Sequence, residues 1–478
     1  MKSHPHLVFS TALLLFALTV NAQTQSNPAI KKAMEAVSAA APTALADPDR
    51  PQYHFHPPAQ WMNDPNGPMF YKGYYHLFYQ HNPYVDKWYH RHWGHARSKD
   101  LVRWEHLPIA LWPSLDKGEA HCFSGCMTLD GAGKPMIFYT SIGHPLPEQW
   151  AASPVDDDLL VWEKHPKNPI LTEALHGDQK IHEWRDPYAF EADGRRFMVV
   201  GGNVNASKGG GASVMLYEAK NSDLTEWTYR GVMFTHPDQD ATNIECPNFV
   251  KVGDEWVLIV SPHRSVEYFV GKFDPDKGIF ASTTRGIVDY GDFYAPNGLY
   301  QPNGPHVLWG WVRGFPEGKG WNGCLSLPRA LNVNGDGTLV QTPVRETRNL
   351  RQDRVVRVKG QILDLDLGVK CDASHIEIGV ESPLEGTDTI EITLPRGNGA
   401  GENVVIRLTQ TQLEVAGVTV PLVPKDKTDL SLFIDHSVVE IYANDGTRCI
   451  TKVIAPGISG NLIRIKGKVE SLLAWQLE

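Results

Sequence analysis

Cysteine is scarce, with six in 478 residues, which excludes a small scaffold stapled by a disulfide framework. Basic runs are absent and the formal net charge is −10, which argues against nucleic acid or an anionic membrane as partner. Only one stretch stays apolar over any length, Leu7 to Val20 behind Met1-Lys2. It is too short to span a bilayer and lacks a stop-transfer flank. With the small residues of Val20-Asn21-Ala22 after it, it reads as a secretory leader (1–22) and predicts export, either extracellular or periplasmic. No cysteine stands near that cleavage point to take a lipid anchor. Helical periodicity is almost missing as well. Roughly 455 residues follow the leader, enough for two domains, and nothing in them calls for a cofactor or a resident metal.

Short β runs are what the chain does contain. One pattern, Asp-Leu-x-x-Trp, occurs three times, at Asp100–Trp104, Asp158–Trp162 and Asp223–Trp227. Upstream of each lies a pair of apolar runs around a glycine turn, such as Met69-Phe70-Tyr71 with Tyr75–Tyr79. Two further pairs continue the series without the Trp signature: Phe249–Val252 with Trp256–Val260, and Gly298-Leu299-Tyr300 with His306–Trp311. Five such units predict an all-β fold, a five-bladed β-propeller over 51–344. From about Arg345 the texture becomes short alternating runs (Ile390–Leu394, Val404–Leu408, Leu432–Asp435, Val439–Tyr442) with a hairpin turn at Asn444-Asp445-Gly446. This predicts a β-sandwich over 345–478. The Ala- and Pro-rich segment 23–50 is either a short helix over Ile30–Ala41 or irregular. Of the cysteines, Cys122 and Cys126 could pair or stay buried. Fourteen Trp and sixteen Tyr are mostly expected in the core, although aromatic faces also stack on sugar rings.

Three acids occur in one local context: Asn63-Asp64-Pro65-Asn66-Gly67, Arg185-Asp186-Pro187 and Glu245-Cys246-Pro247, each beside proline and leading into an apolar run. An Asp before Pro is pushed toward extended backbone, and Asn-Gly is a tight-turn dipeptide. Each acid is therefore expected at the mouth of an inner strand, in the first, third and fourth units, converging on the central channel. One Asp-Pro is ordinarily a turn; three in the same setting point to a glycosidase carboxylate set. Glycosidic cleavage needs a protonated acid at the leaving oxygen and a carboxylate at the anomeric carbon. Glu245 has the reach of a proton shuttle, and the Asp64 and Asp186 charges are expected to raise its pKa. Asp64, short and pinned by Pro65, suits a positioned nucleophile. His90, His92 and His95 have a spacing that could bind metal, but read better as polar and sugar-contacting strand residues. Asn205-Ala206-Ser207 is a formal glycosylation acceptor, meaningful only in a eukaryotic secretory route.

Trp61–Gly67, Phe78-Tyr79-Gln80, Trp93-Gly94-His95, Phe123-Ser124-Gly125, Arg185-Asp186-Pro187 and Glu245-Cys246-Pro247 resemble, in order, the motifs of glycoside hydrolase family 32. The tail segment Phe433–Gly446 resembles that family's accessory sandwich. The resemblance implies a five-bladed propeller with a C-terminal β-sandwich and a retaining β-fructofuranosidase acting on fructans (levan or inulin), on sucrose, or on both, which the leader would export. It implies Asp64 as nucleophile, Asp186 as transition-state stabiliser and Glu245 as acid/base. Asn63, Gln80, Trp88 or Trp93, Phe123, Ser124 and Arg185 would line the fructosyl pocket, with Trp311 a further carry-over. One departure concerns substrate: the acidic and basic pair with which plant sucrose-cleaving members grip the glucosyl half is not found in Ser261–Gly271. A sucrose-specific invertase and a fructosyltransferase share the three acids and stay open as alternatives, as does exo against endo action. A glycosidase of arabinans or xylans would lack Trp61–Gly67 and the sandwich, and a non-catalytic fructan-binding propeller would have lost an acid.

Overall fold

The computed structural model describes residues 27–205, 210–299, 301, 306–397 and 401–478. The leader reading, most of the glycosylation acceptor and Tyr300 lie outside the described residues. Five antiparallel blades follow one another along the chain. Their inner strands are Gln60–Tyr71, His121–Leu129, His182–Ala192, Glu245–Val252 and Phe293–Leu299. Each inner strand packs on those of the adjacent blades around a common axis. The ring closes where Trp321-Asn322, from the connection between the second and third strands of the fifth blade, pairs in parallel with Gln60-Trp61 of the first.

The Asp-Leu-x-x-Trp repeat marks one turn used three times, before the outer strand of blades one to three. Leu101, Leu159 and Leu224 each sit in the left-handed region, with φ of 65°, 58° and 54°. Their carbonyls accept the indole N–H of Trp104, Trp162 and Trp227 at 3.1, 2.9 and 2.8 Å. A left-handed leucine costs about 1–2 kcal/mol; burial of Leu and Trp together with the indole hydrogen bond offsets it. The Asp of the repeat caps the turn only in the first blade, where Asp100 accepts the N–H of Val102 and Arg103. In the next two blades the cap stands two residues earlier, at Asp156 and Asn221.

The tight turn expected at Asn66-Gly67 is not one. The whole stretch lies within the inner strand Gln60–Tyr71, and it is irregular because of a bulge. Every blade has that bulge at the same level. Met62 to Pro65, Cys122 to Gly125, Arg185 to Tyr188, Glu245 to Asn248 and Tyr294 to Asn297 each run past a shorter step on the neighbouring strand. A bulge frees proline from the ladder and re-aims side chains, which is why Pro65, Pro187, Pro247 and Pro296 are tolerated in inner strands. Three buried asparagines lace the ring just beyond the bulges. Asn66 Oδ1 accepts the Gly125 N–H at 3.1 Å, Asn297 Nδ2 donates to the Gly125 carbonyl at 3.0 Å, and Asn248 Nδ2 donates to the Pro296 carbonyl at 2.8 Å.

The N-terminal segment forms a longer helix than expected, Pro28–Leu45, because Asn27 caps it, accepting from Ala29 and Ile30 N–H, and Pro28 starts it. It packs Ile30 and Ala33 on Ile109 of blade one. The C-terminal module is β-sandwich-like. Its ten strands are hydrogen-bonded as one sheet because the long strand Leu462–Leu477 pairs with Ile390–Leu394 at one end and His375–Ser382 at the other. The sheet folds over a core of Ile376, Ile392, Leu432, Ile441 and Leu472. Cys122 and Cys126 are buried and unpaired, as are Cys246, Cys324 and Cys449. No helix among the described residues is long and apolar enough to cross a membrane.

Candidate active site

The bulges bring the three acids together. Asn63-Asp64, Phe123-Ser124, Asp186-Pro187 and Cys246-Pro247 are all bulge residues, so four strands aim side chains into one end of the channel. Asp186 and Cys246 hold φ of 65° and 46°, left-handed values that cost of order 1–3 kcal/mol each where glycine is absent.

Asp64 is fixed from several sides. Its Oδ1 accepts Asn63 Nδ2 at 3.0 Å, and its Oδ2 accepts the Ser124 hydroxyl at 2.5 Å and Gln80 Nε2 at 3.2 Å. Behind it, Asn63 also donates to Gln80 Oε1 at 3.0 Å and accepts the Trp61 indole N–H at 2.8 Å. Asp186 Oδ2 accepts the Cys246 N–H at 3.0 Å, and Thr140 Oγ1 accepts the Asp186 N–H at 2.8 Å. The Cys246 sulfur lies 3.6 Å from Oδ2 of both Asp64 and Asp186. Burial and the surrounding carboxylates push its thiol up, so it stands between the two acids as a neutral S–H. Glu245 Oε1 accepts Arg185 Nη2 at 2.6 Å, its Oε2 accepts the Tyr294 hydroxyl at 2.6 Å, and His263 Nε2 lies 3.5 Å from Oε2.

These partners overturn the expected order of acidities. Burial acts to raise Glu245, but His263, Arg185 and Tyr294 outweigh it and hold the carboxyl at about 2. Asp186 is the one raised, to about 7, by burial first; Arg185 opposes, and the Glu245 and Asp64 charges reinforce the rise. Asp64 is also raised by burial, against its Ser124 and Asn63 hydrogen bonds. Burial thus favours protonation on the aspartate side of the cluster, while the partners of Glu245 favour its ionised form.

The aromatic expectations divide. Trp93 is fully buried and presents no surface to a ligand; it donates its indole N–H to the Phe123 carbonyl at 2.9 Å from behind. Trp88 is 55% exposed and covers Arg91, whose guanidinium lies 3.4 Å from the Trp88 ring centre and 4.4 Å from that of Phe123. Trp311 stacks edge-on against Trp61 at 5.7 Å, which places it beside the Asn63 end of the cluster. The three histidines do not converge: His95 pairs with His76 at 3.0 Å and His92 with the His90 carbonyl at 2.7 Å. Sequence reading missed Tyr294, Thr140, His263 and Arg91. Tyr294 had a signal, because Ala295-Pro296-Asn297-Gly298 copies Asp64-Pro65-Asn66-Gly67 and marks the equivalent bulge. Arg91 had none; it is a buried cation whose charge acts on Asp64.

A hydrogen-bonded carboxylate, a second carboxyl raised by burial, and a third on a flexible arm beside a cation are the groups that acid–base and nucleophilic chemistry requires. The glycosyl hydrolases family 32 N-terminal domain matches residues 54–343, and the family's C-terminal domain matches 347–475. The chain belongs to glycoside hydrolase family 32. It is 31% identical to a sucrose-6-phosphate hydrolase of Zymomonas mobilis, over 94% of this chain and 96% of that protein. It is 30% identical to a levanase of Bacillus subtilis, over 87% of this chain and 68% of that one. A family 32 β-fructofuranosidase of Bombyx mori superposes with a TM-score of 0.81 at 27% identity, covering 94% and 98% of the two chains. Family 32 membership makes this protein a glycoside hydrolase of the fructofuranosidase kind.

Proposed function

We propose that this family 32 enzyme is an exported, retaining exo-β-fructofuranosidase that removes terminal fructosyl units from fructans at least as well as from sucrose. The observation that carries the reading is the division of labour among the three acids. Asp64, aimed and fixed by Asn63, Gln80 and Ser124, attacks the anomeric carbon. Glu245 gives a proton to the leaving oxygen and later takes one from water. Asp186, beside both, binds ring hydroxyls and opposes the positive charge of the oxocarbenium-like state. The low pKa of Glu245 sets a condition: substrate must draw His263, Arg185 or Tyr294 away so that the proton moves to Glu245.

Substrate preference rests on the leaving-group side. Within Ser261–Gly271, Arg264 is committed to Asp238, Asp240 and Glu267, and His263 is turned toward Glu245. That leaves little to specify a glucosyl unit, so binding energy is spent on the terminal fructosyl. Secretion is supported by the leader-like Met1–Ala22. A second reading, sucrose 6-phosphate, has one observation in its favour: Arg313 lies over the Tyr294 ring at 4.3 Å, a cation next to the group that holds Glu245. Fructose release from levan, inulin, sucrose and sucrose 6-phosphate, assayed side by side, separates these. Early product should be free fructose without a ladder of oligosaccharides. A kcat/KM for sucrose or its phosphate about a hundredfold above either fructan, roughly 2.7 kcal/mol of transition-state preference, overturns the fructan reading.

A further inference from the structure

A second cluster of chemistry-bearing side chains lies where the sandwich meets the propeller. His375 and Asp435 are directly opposite each other on adjacent antiparallel strands, and His436 is the first residue of the two-residue turn that joins Asp435 to Val438. A φ of 51° at His436 turns its ring back over Asp435. The two imidazoles stand at 81° with centres 4.2 Å apart. His375 Nε2 lies 3.8 Å and His436 Nδ1 3.6 Å from the same oxygen, Asp435 Oδ1. Both nitrogens are buried and have no hydrogen-bond partner.

The rest of Asp435 is already committed. Its Oδ2 accepts the N–H of Tyr53 and His54 and the His54 ring, while Oδ1 accepts only Gln52 N–H, at 2.7 Å. One lone pair of Oδ1 therefore faces two unpartnered imidazole nitrogens, and the three ligand atoms lie within 4.8 Å of one another. Tetrahedral zinc, with bonds of about 2.0–2.2 Å, needs ligand atoms roughly 3.3–3.5 Å apart. The two oxygen–nitrogen spacings, 3.8 and 3.6 Å, reach that with movements of a few tenths of an ångström. The surroundings fit as well. His375 Nδ1 is 3.3 Å from the Ser374 hydroxyl and 3.8 Å from Asp372 Oδ2, the kind of outer partner that fixes the tautomer of a metal-bound histidine. The His375 and His436 side chains are 12% and 22% exposed, which leaves an entrance and room for a water as fourth ligand.

We propose that His375, Asp435 and His436 form a zinc-type divalent metal site within the sandwich, on the carboxylate that also accepts from Gln52, Tyr53 and His54. A mixed imidazole and carboxylate set with an open position suits zinc, or cobalt as its spectroscopic stand-in, over magnesium or calcium, which take oxygen ligands. Its role is structural, because its ligands are separate from the three acids of the channel.

The test is titration of tag-free, metal-stripped protein with cobalt(II), followed by its visible d–d absorption, and with zinc(II), followed by calorimetry and Tm. One equivalent should bind with a tetrahedral-type cobalt spectrum and raise Tm, while fructose release stays the same with metal or with chelator. H375Q and H436Q should each abolish the spectrum, and D372N should weaken affinity by about 10–100-fold without changing fructose release. No bound equivalent in the parent protein overturns the proposal, and so does equal binding by the H375Q/H436Q double variant. Because the titration of the parent decides alone, a variant that fails to fold does not rescue the idea.

Discussion

Two buried clusters of charge sit in this molecule, and their chemistry is opposite. At the junction of the modules, Arg329 Nη2 reaches Asp289 at 2.9 Å, Glu440 at 2.7 Å and the Thr451 hydroxyl at 2.6 Å, all fully buried. His54 bridges Asp435 and Glu440 at 2.8 and 2.9 Å. Burial acts to raise Glu440, but Arg329 and His54 outweigh it and hold the carboxyl at about 2. In the channel, Asp186 faces Asp64 and Glu245, shares Arg185 with Glu245, and is raised to about 7. A junction needs charges that are fully paired and silent. A catalytic site needs carboxyls that compete for too few protons, and it tolerates the loss of stability.

Removing the nucleophilic acid from the channel should have the largest effect, read in the rate. Asp64→Asn keeps the hydrogen bonds to Asn63 or Gln80 in part but cannot form the glycosyl intermediate. Turnover should fall by about 10⁴-fold or more with circular dichroism unchanged and Tm not lowered. A variant within tenfold of the parent would remove Asp64 from the mechanism.

The junction should behave in reverse. Arg329→Met leaves Asp289 and Glu440 buried without their cation, a loss of about 3–5 kcal/mol. Unfolding in urea should shift accordingly, while kcat of the folded fraction stays that of the parent. An unaltered midpoint would show that water, not Arg329, satisfies the pair.

The same contrast decides what was legible in the sequence. The five units, the all-β class and the three acids are written locally, because Asp-Leu-x-x-Trp and acid-beside-proline reflect turns and bulges closed within a few residues. Trp93 could not be placed: whether a Trp on the third strand of a blade, here His92–Ser98, faces the pocket or the core depends on a strand register that the alternation around Gly94 does not fix. Arg91 and the reversal of the Glu245 and Asp186 acidities depend on groups from different blades meeting in space, while His263 reaches Glu245 from the next turn of the same blade. No spacing along the chain encodes that. The expectation for Glu245 counted only its like-charged neighbours, and Arg185 and Tyr294 arrive from blades three and five.

Asp186→Asn joins the two halves of the comparison. It should lose most activity yet raise stability, because the ionised form is disfavoured in the fold. The shift from 3.8 to about 7 corresponds to about 4 kcal/mol at 1.36 kcal/mol per unit. Some of this returns as weakened bonding to Cys246, so a gain of roughly 1–3 kcal/mol above pH 7 is expected. The sign follows from a folded pKa raised above the unfolded one. The carboxyl contributes nothing unfavourable below about pH 4, where both states are protonated, and costs progressively more up to about pH 7. The gain in Tm over the parent should therefore be seen at pH 8 and vanish near pH 4; a gain independent of pH would trace to packing instead.

The smallest effect is a change of slope in the pH profile of the parent enzyme. Cleavage needs one proton in the cluster for the leaving oxygen and at least one carboxylate to attack. Glu245, held at about 2 in the free protein, does not keep that proton at neutral pH. The aspartate side does, with Asp186 releasing it near 7. kcat/KM, which reports the free enzyme, should be flat on the acid side of neutrality and fall about tenfold per unit as pH rises past 7. The residual activity of Asp186→Asn should lose that limb, since the amide carries no titrating proton, while Tyr294→Phe, which frees one oxygen of Glu245, should leave it near its parental position. If the limb persists unchanged in Asp186→Asn, the proton is stored on Asp64. The channel would then differ from the junction through its nucleophile and not through its stabilising acid.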